Sequence, residues 1–450
     1  MPLHPRISGL FLALTLGVSC QHTAPEAAPA AAEPPSTETA LDEPPSTDID
    51  LATQPPEPPP KPEPKRVLTG IDVLQHSPAE QALLEGEVIG LVTNTAARDR
   101  DGRTTFELLV EAPWADVQVL FTPEHGFLAD VAGAGTSDVD SWHGRSHGLF
   151  SKHKVPTPEM LEGVDVLVFD MQSVGVRFYT YLSTMVGVMG AARDAGIPMI
   201  ILDRPNPIAP QGVGGNVLDP AFTTFVGILP LPWRYELTLG EMARYVAWRW
   251  PDDYGSVLHV VRMEGWDHDT WFDETDLAFV PPSPAMLDLD TATSYPGFCL
   301  LEGTNIGLGR GTPHPFQMVA APWLDAPGVV DRVSPLAATL GAELLVESIT
   351  PLDPTDGKYD GVPCEAVRVI VTDRERYDPI PLTLELMEAI RALHAPELTW
   401  HVKHFDRLAG TDILRESLAK DEDSEPLLQA WEAELLEFER ATQALRLYYP

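Results

Sequence analysis

Short runs of branched and aromatic apolar residues recur through the first half of the chain, at 87–93, 117–121, 164–169, 198–202 and 258–263. Each has the length of a strand, and amphipathic or small-residue stretches separate them, which predicts a parallel sheet flanked by helices. Residues 181–195 predict a helix ended by Gly196, with Ile197-Pro198 opening the next strand. A capping-box pattern, Thr238 with Glu241, predicts a second helix over 238–248. Beyond Pro281-Pro-Ser-Pro284 the periodicity loosens. Helices are expected there over 335–348, 383–393 and 427–445, with a strand near 366–372, which together make a smaller α/β module. The domain limits this gives are 67–285 and 286–450.

The N-terminus follows other rules. Arg6 precedes an apolar run, 7–18, too short to span a bilayer, which predicts an export signal over residues 1–20. Leu16-Gly-Val-Ser-Cys20 resembles a bacterial lipoprotein cleavage site, with Cys20 as the acylated residue and a membrane anchor as the consequence. Gly17 departs from the usual Leu, and simple secretion or an uncut anchor is the alternative; Gln21 after the cysteine favours the outer membrane. Residues 21–66 are dense in Pro, Ala, Glu and Thr, so they bury too little surface to offset ordering entropy and form an extended tether.

Charge removes one class of partner. With 67 acidic against 30 basic residues and a net charge of −37, the chain lacks the basic face that nucleic acid needs. Three cysteines in 450 residues do not make a disulfide framework, and no structural bridge is expected between Cys299 and Cys364.

In open sheets of this kind ligands collect beyond the carboxyl ends of the strands. Those ends are Thr93-Asn94, Thr122-Pro-Glu124-His125, Asp170-Met-Gln172 and Asp203-Arg204. Phe121-Thr-Pro-Glu-His-Gly-Phe127 is the most informative, since a carboxylate and an imidazole follow directly on an apolar strand. A glycine-rich loop carrying Glu302, Asn305, Arg310 and His314 can close over the same cleft. Glu124, His125, Asp170, Asp203 and His314 are metal-capable, but their spacing matches no compact zinc motif, and no metal is expected. The first strand-to-helix turn lacks Gly-x-Gly-x-x-Gly, which argues against a dinucleotide, and no cofactor is expected. No Gly-x-Ser-x-Gly elbow supports an esterase.

The series Gly90-Leu-Val-Thr-Asn94, Pro123-Glu-His-Gly-Phe127, Phe169-Asp-Met-Gln172, Val174-Gly-Val-Arg-Phe-Tyr-Thr-Tyr181, Leu202-Asp-Arg-Pro-Asn-Pro207, Glu302-Gly-Thr-Asn305 and Gly309-Arg-Gly-Thr312 closely resembles the exo-β-N-acetylmuramidase family typified by NamZ. The resemblance runs from about Gly70 to the C-terminus, with the motifs in the same order. It implies a Rossmann-like catalytic domain plus an auxiliary domain, and removal of terminal N-acetylmuramic acid from peptidoglycan fragments. It also implies a catalytic role for Glu124. Two segments depart from the family's pattern, Leu128-Ala-Asp130-Val-Ala-Gly-Ala-Gly135 and His147-Gly-Leu-Phe-Ser-Lys-His153, and bear on substrate length or attached peptide.

Glycosidic cleavage needs a proton donor and a group to meet the oxocarbenium-like charge. Glu124 suits the donor role if burial near Phe121 and Phe127 raises its pKa. Asp170 is the leading second carboxylate, Asp203 and Glu302 also qualify on placement, and the substrate's own acetamido oxygen is a third route. The lactyl carboxylate of N-acetylmuramic acid calls for a cation, for which Arg177, Arg204 and Arg310 are candidates; Arg177 can instead sit in a buried ion pair. Asn94, His125, Tyr179, Asn206 and Asn305 are candidate sugar contacts. The expected partners are peptidoglycan-derived saccharides or muropeptides, and no protein partner is implied. A non-catalytic cell-wall-binding lipoprotein is the main competing reading, and a metal-dependent hydrolase a weaker one.

Overall fold

The computed structural model describes residues 63–129, 142–150, 152–254, 257–420 and 422–449. The export signal, Cys20 and nearly all of the tether lie outside them. Residues 61–450 form one compact unit. It already holds Lys65, whose Nζ meets Asp267 and Thr270 at 2.8 and 2.7 Å.

The strands in chain order are β1 (Val88–Thr93), β2 (Asp116–Thr122), β3 (Arg145–Gly148), β4 (Val166–Asp170), β5 (Met199–Leu202), β6 (Val213–Gly214), β7 (Arg234–Tyr235), β8 (Leu258–Val261), β9 (Met318–Ala321), β10 (Ala342–Ile349) and β11 (Cys364–Val371). Six form a sheet in the order β3-β2-β1-β4-β5-β8, with every pairing parallel. β9, β10 and β11 form a smaller antiparallel sheet, and β6 pairs antiparallel with β7. This is the expected α/β architecture with an auxiliary C-terminal module.

The large sheet is apolar on both faces because helices cover both. Successive side chains of a strand point to opposite faces. Val166 and Val168 accordingly pack with Ile71, Leu74 and Leu109 on one side, while Leu167 and Phe169 join Leu182, Met185 and Met242 on the other. The helix Tyr181–Ala195 ends at Gly196 in the left-handed conformation, φ 70°, and Leu239–Arg249 opens on the Thr238–Glu241 capping box, both as the sequence predicts. The second apolar cluster continues without a break into the C-terminal half through Tyr295, Phe298, Leu386 and Phe405.

Two elements depart from expectation. The helix expected over 335–348 is instead Ala326–Thr339 followed, after Gly341 at φ 71°, by strand β10. Leu344, Leu345 and Val346 read as apolar at either period; the left-handed glycine breaks the helix, and pairing with β11 sets the strand. Strand β3, with sequence Arg-Ser-His-Gly, carries no apolar alternation and was not predicted; it gains its place by pairing with β2 at the sheet edge.

Candidate active site

Glu124 stands just past the carboxyl end of β2. Pro123 has no N–H with which to extend the ladder, and Gly126 N closes a turn on Pro123 O at 3.1 Å. His125 and Gly126 both take left-handed backbone, φ 71° each. For histidine this is an uncommon conformation of the kind that collects at functional sites. The turn brings Glu124, half-buried, to the start of the helix Tyr181–Ala195, where Thr180 Oγ1 donates to its Oε2 at 2.7 Å. Phe121 stacks on His147 and Phe127 packs edge-on against Phe106, with centroids 5.7 and 5.3 Å apart.

Two tyrosines lie within reach of the charge of Glu124. The rings of Tyr179 and Tyr181 meet edge to face at 4.9 Å, and both phenols are pushed above their ordinary pKa by burial first and by the charge of Glu124 in addition. Tyr181 Oη donates to Pro282 O at 2.5 Å and accepts from Asn94 Nδ2 at 2.8 Å. The Tyr179 hydroxyl lies near Ser283 and Tyr181 without a well-aligned hydrogen bond to either. Asn94, Glu124, His125 and Tyr179 are thus gathered at one edge, as expected. Thr180 and Tyr181, within the same motif but not singled out, complete the group.

The other strand-end residues are enclosed. Asp170 is fully buried, opposite Thr93 in the ladder, and takes both ends of the Arg204 guanidinium, with Nη2 at 2.8 Å, plus Thr105 Oγ1 at 2.5 Å. It accepts three hydrogen bonds and has no face toward solvent, so it is not placed to be the second catalytic carboxylate. Arg204, its remaining amine on Arg98 O at 2.7 Å, is likewise not free for a lactyl group. Asp203 accepts from Thr238 Oγ1, Gly240 N, Arg204 N and Tyr448 Oη at 2.6 to 3.0 Å, tying β5 to the helix Leu239–Arg249 and to the chain's end. Burial pushes its pKa up to about 6 against those donors. Asn206 spends its side chain on Glu236 O, Leu237 O and Ile208 N.

Arg177 is neither a sugar clamp nor half of an ion pair. It is fully buried, and its amines donate to four backbone carbonyls, those of Asn216, Leu231, Leu408 and Ala409, at 2.6 to 3.0 Å. Burial without a compensating carboxylate lowers its pKa to about 9.

A second polar group comes from the glycine-rich loop. Arg310, between Gly309 and Gly311 at φ 73° and 77°, donates Nη2 to Glu302 Oε1 at 2.5 Å and Nη1 to Thr355 Oγ1 at 2.7 Å. Its guanidinium lies 4.7 Å from the centre of the Phe316 ring. Both members of the pair keep about a fifth of their side-chain surface exposed. Burial acts to raise the Glu302 pKa, but hydrogen bonding from His404 and the charge of Arg310 outweigh it and hold it at about 2. His404 and Lys358, whose Nζ donates to Ile306 O at 2.9 Å, enter from distant positions with no signal in the sequence. Asn305 bonds backbone groups of Glu397 and Thr399, and so serves the loop itself. A row of aromatic rings connects the two polar groups: Tyr179 meets Tyr295 at 6.0 Å, and Tyr295 meets Phe316 at 4.8 Å.

Two surface cavities of about 560 and 550 Å³ lie elsewhere, one beside Arg244 and His259, the other beside Leu414 and Trp431. Among the described residues, no three His, Cys, Asp or Glu side chains converge as a metal site. Cys299 and Cys364 are both free and buried.

Comparison with known proteins agrees with this architecture. Residues 89–290 match the family model described as exo-β-N-acetylmuramidase NamZ, N-terminal, and residues 293–448 its C-terminal counterpart. The chain is 36% identical over 389 residues to peptidoglycan β-N-acetylmuramidase NamZ of Bacillus subtilis (strain 168), covering 85% of this chain and 92% of the relative. Crystal structures of two DUF1343 family proteins from Bacteroides fragilis NCTC 9343 superpose with TM-scores of 0.78 and 0.68, at 30% and 25% identity. Each comparison covers 85% of this chain and 99% of the other. Two family models in order along one chain, and a relative matched over nearly its whole length, place this protein in the exo-β-N-acetylmuramidase NamZ family.

Proposed function

We propose that the chain is an exo-acting glycoside hydrolase that releases terminal N-acetylmuramic acid from peptidoglycan fragments, with Glu124 as general acid. The observation that carries this reading is the setting of Glu124. It stands beyond a strand end, half-buried against two tyrosines, with Oε2 held by Thr180. Oε1 is then left to give a proton to the glycosidic oxygen; the C1–O bond breaks as positive charge develops on the sugar ring, and water adds at C1 with release of a proton. Glu302, which His404 and Arg310 hold in its anionic form, is poorly suited to donate the proton. It can balance the ring charge or orient the substrate's acetamido group. Arg310 is the candidate arginine that keeps an exposed face for the lactyl carboxylate, since Arg177 and Arg204 are enclosed.

A chromogenic β-N-acetylmuraminide tests the reading directly. The wild type releases the chromophore, and Glu124→Gln lowers kcat by about 10²- to 10⁴-fold with sugar binding retained. Full turnover in that variant would remove Glu124 from the role. Binding without any cleavage by the wild type would favour a cell-wall-binding protein. Export and anchoring through Cys20 belong to the same proposal, supported by the pattern of residues 1–20. Cys20→Ser should move the protein from the membrane to the soluble fraction.

A further inference from the structure

The cavity of about 550 Å³ lies where the segment 216–231 meets the helices Ile413–Ala419 and Glu425–Gln443. Arg177 fixes its walls. One amine of that buried guanidinium holds Asn216 O and Leu231 O, and the other holds Leu408 O and Ala409 O, so the segment is stapled to the helix Val402–Ala409. Asp219 N adds a bond to Gly410 O at 2.9 Å. Gly410 takes φ 74°, and a Cβ there would lie 2.6 Å from Arg177 Nη2, so the absence of a side chain lets the staple close. The cavity is thus preformed, as ligand sites usually are.

Asn216 is 4% exposed and lines this cavity. Its backbone carbonyl is taken by Arg177, and its side-chain amide donates to Val217 O at 2.8 Å. Its Oδ1 has no hydrogen-bond partner among the described residues. Buried acceptors in folded proteins are paired, and the complement of one left over in a cavity wall is a donor on a ligand. Trp431, half-buried, lines the same cavity and is fixed by an edge contact with the enclosed Trp233, their rings 5.3 Å apart. Asp219 and Glu434 line it from exposed positions, and no Lys, Arg or His does so among the described residues. A sugar ring carries C–H bonds on its faces and hydroxyl donors round its edge, so it suits an indole ringed by acceptors. An anion would meet two carboxylates and no cation.

We propose that this cavity is a second, non-catalytic saccharide site for an uncharged N-acetylamino sugar of a glycan chain, with Trp431 as platform and Asn216 Oδ1 as acceptor for a hydroxyl or acetamido N–H. The choice of a glycan rests on the hydrolase reading above. The site stands apart from Glu124 but shares two elements with its surroundings. Arg177 lies three residues before Thr180, and the helix Val402–Ala409 carries His404, the neighbour of Glu302, one turn before Leu408. A glycan held here raises the local concentration of chain ends at the enzyme.

The probe is the uncharged tetramer of β-1,4-linked N-acetylglucosamine, titrated into the full-length protein in a calorimeter. Trp431→Ala should weaken its binding at least tenfold. So should Ile413→Arg, which fills the cavity from an exposed position and leaves the Trp233 contact alone. Both variants should release chromophore from the β-N-acetylmuraminide at the wild-type rate, and salt should leave the affinity unchanged, since no charges pair. Ile413→Arg decides the matter if Trp431→Ala is unstable. The site is overturned if the wild type does not bind the tetramer, or if Ile413→Arg binds it equally well. Loss of turnover in parallel with loss of binding also overturns it, since the probe would then occupy the cleft of Glu124. Tighter binding of the deacetylated, cationic tetramer than of the neutral one overturns it in favour of an amine site. If the wild type binds the tetramer but does not cleave the muraminide, the hydrolase reading fails and the second site stands.

Discussion

Asp170–Arg204 and Glu302–Arg310 are the same chemical pair in two settings. The first is wholly enclosed, with side-chain exposures of 0% and 6%; the second keeps 19% and 20%. Asp170 is still part of the ladder, opposite Thr93, in a strand with neighbours on both sides, so its carboxylate is roofed and must be neutralised in place. Arg310 sits on a loop between glycines in left-handed backbone and meets Glu302 on a short 3-10 helix, Cys299–Gly303, and one face of the pair stays open. Glu124 extends the contrast, since it lies two residues beyond the last residue of β2. Asp170, inside the ladder, is architecture, and so is Asp203, one residue past β5 and closed in by four donors, while Glu124, set further out on its turn, stays half-buried.

Breaking the enclosed pair should have the largest effect. Asp170→Asn leaves the Arg204 charge buried without a counter-ion, and urea denaturation should show a loss of about 3–5 kcal/mol. A loss below about 1 kcal/mol would mean the site is wetter than its geometry implies. Glu302→Gln should cost less, about 1–2 kcal/mol at neutral pH, because the pair is partly solvated.

The sign of the pH dependence separates two carboxylates further. Glu302 has a folded pKa of about 2 against an ordinary 4.5, so its contribution is present above pH 4.5 and lost as pH falls toward 2. Glu302→Gln should flatten that acid limb in a stability-versus-pH series. Asp203 has a folded pKa of about 6 against 3.8, so its contribution is present below pH 3.8 and lost as pH rises through 6. Asp203→Asn should flatten the fall between those values; an unchanged slope would show that its four donors keep it ionised.

The smallest effect is expected at Thr180→Val, which removes the hydrogen bond to Glu124 Oε2 and keeps the side-chain shape. Stability should change by under about 1 kcal/mol, while kcat falls several-fold and the alkaline limb of the kcat profile, set by the proton donor, moves. Equal kcat and an unmoved profile would leave Thr180 a helix cap and nothing more.

Much of the fold was legible because its signals are local. The strands near residues 88–93, 116–122, 166–170 and 199–202 follow from apolar runs, and the helix over 181–195 from its period and its terminal glycine. The edge strand Arg145–Gly148 was not legible, since a strand held only by its neighbour needs no apolar pattern of its own. The site was legible in part. Asn94, Glu124 and His125 stand at the strand ends as expected, and Tyr179 joins them there, but Asp170 and Arg204 consume each other and Arg177 is caged by carbonyls. His404 could not be read from sequence, because it reaches Glu302 from 102 positions away.

The sequence by itself determined the alternation of strands and helices, the carboxyl edge on which polar residues gather, and the turn that carries Glu124 past the end of its strand. These depend on side-chain period, on a proline without an N–H and on glycine's backbone freedom, all of which act within a few residues. Only the tertiary structure decided which charges are neutralised and which remain open. That depends on the dielectric around each group and on partners brought from tens to hundreds of positions away, as when Leu408 and Ala409 close over Arg177.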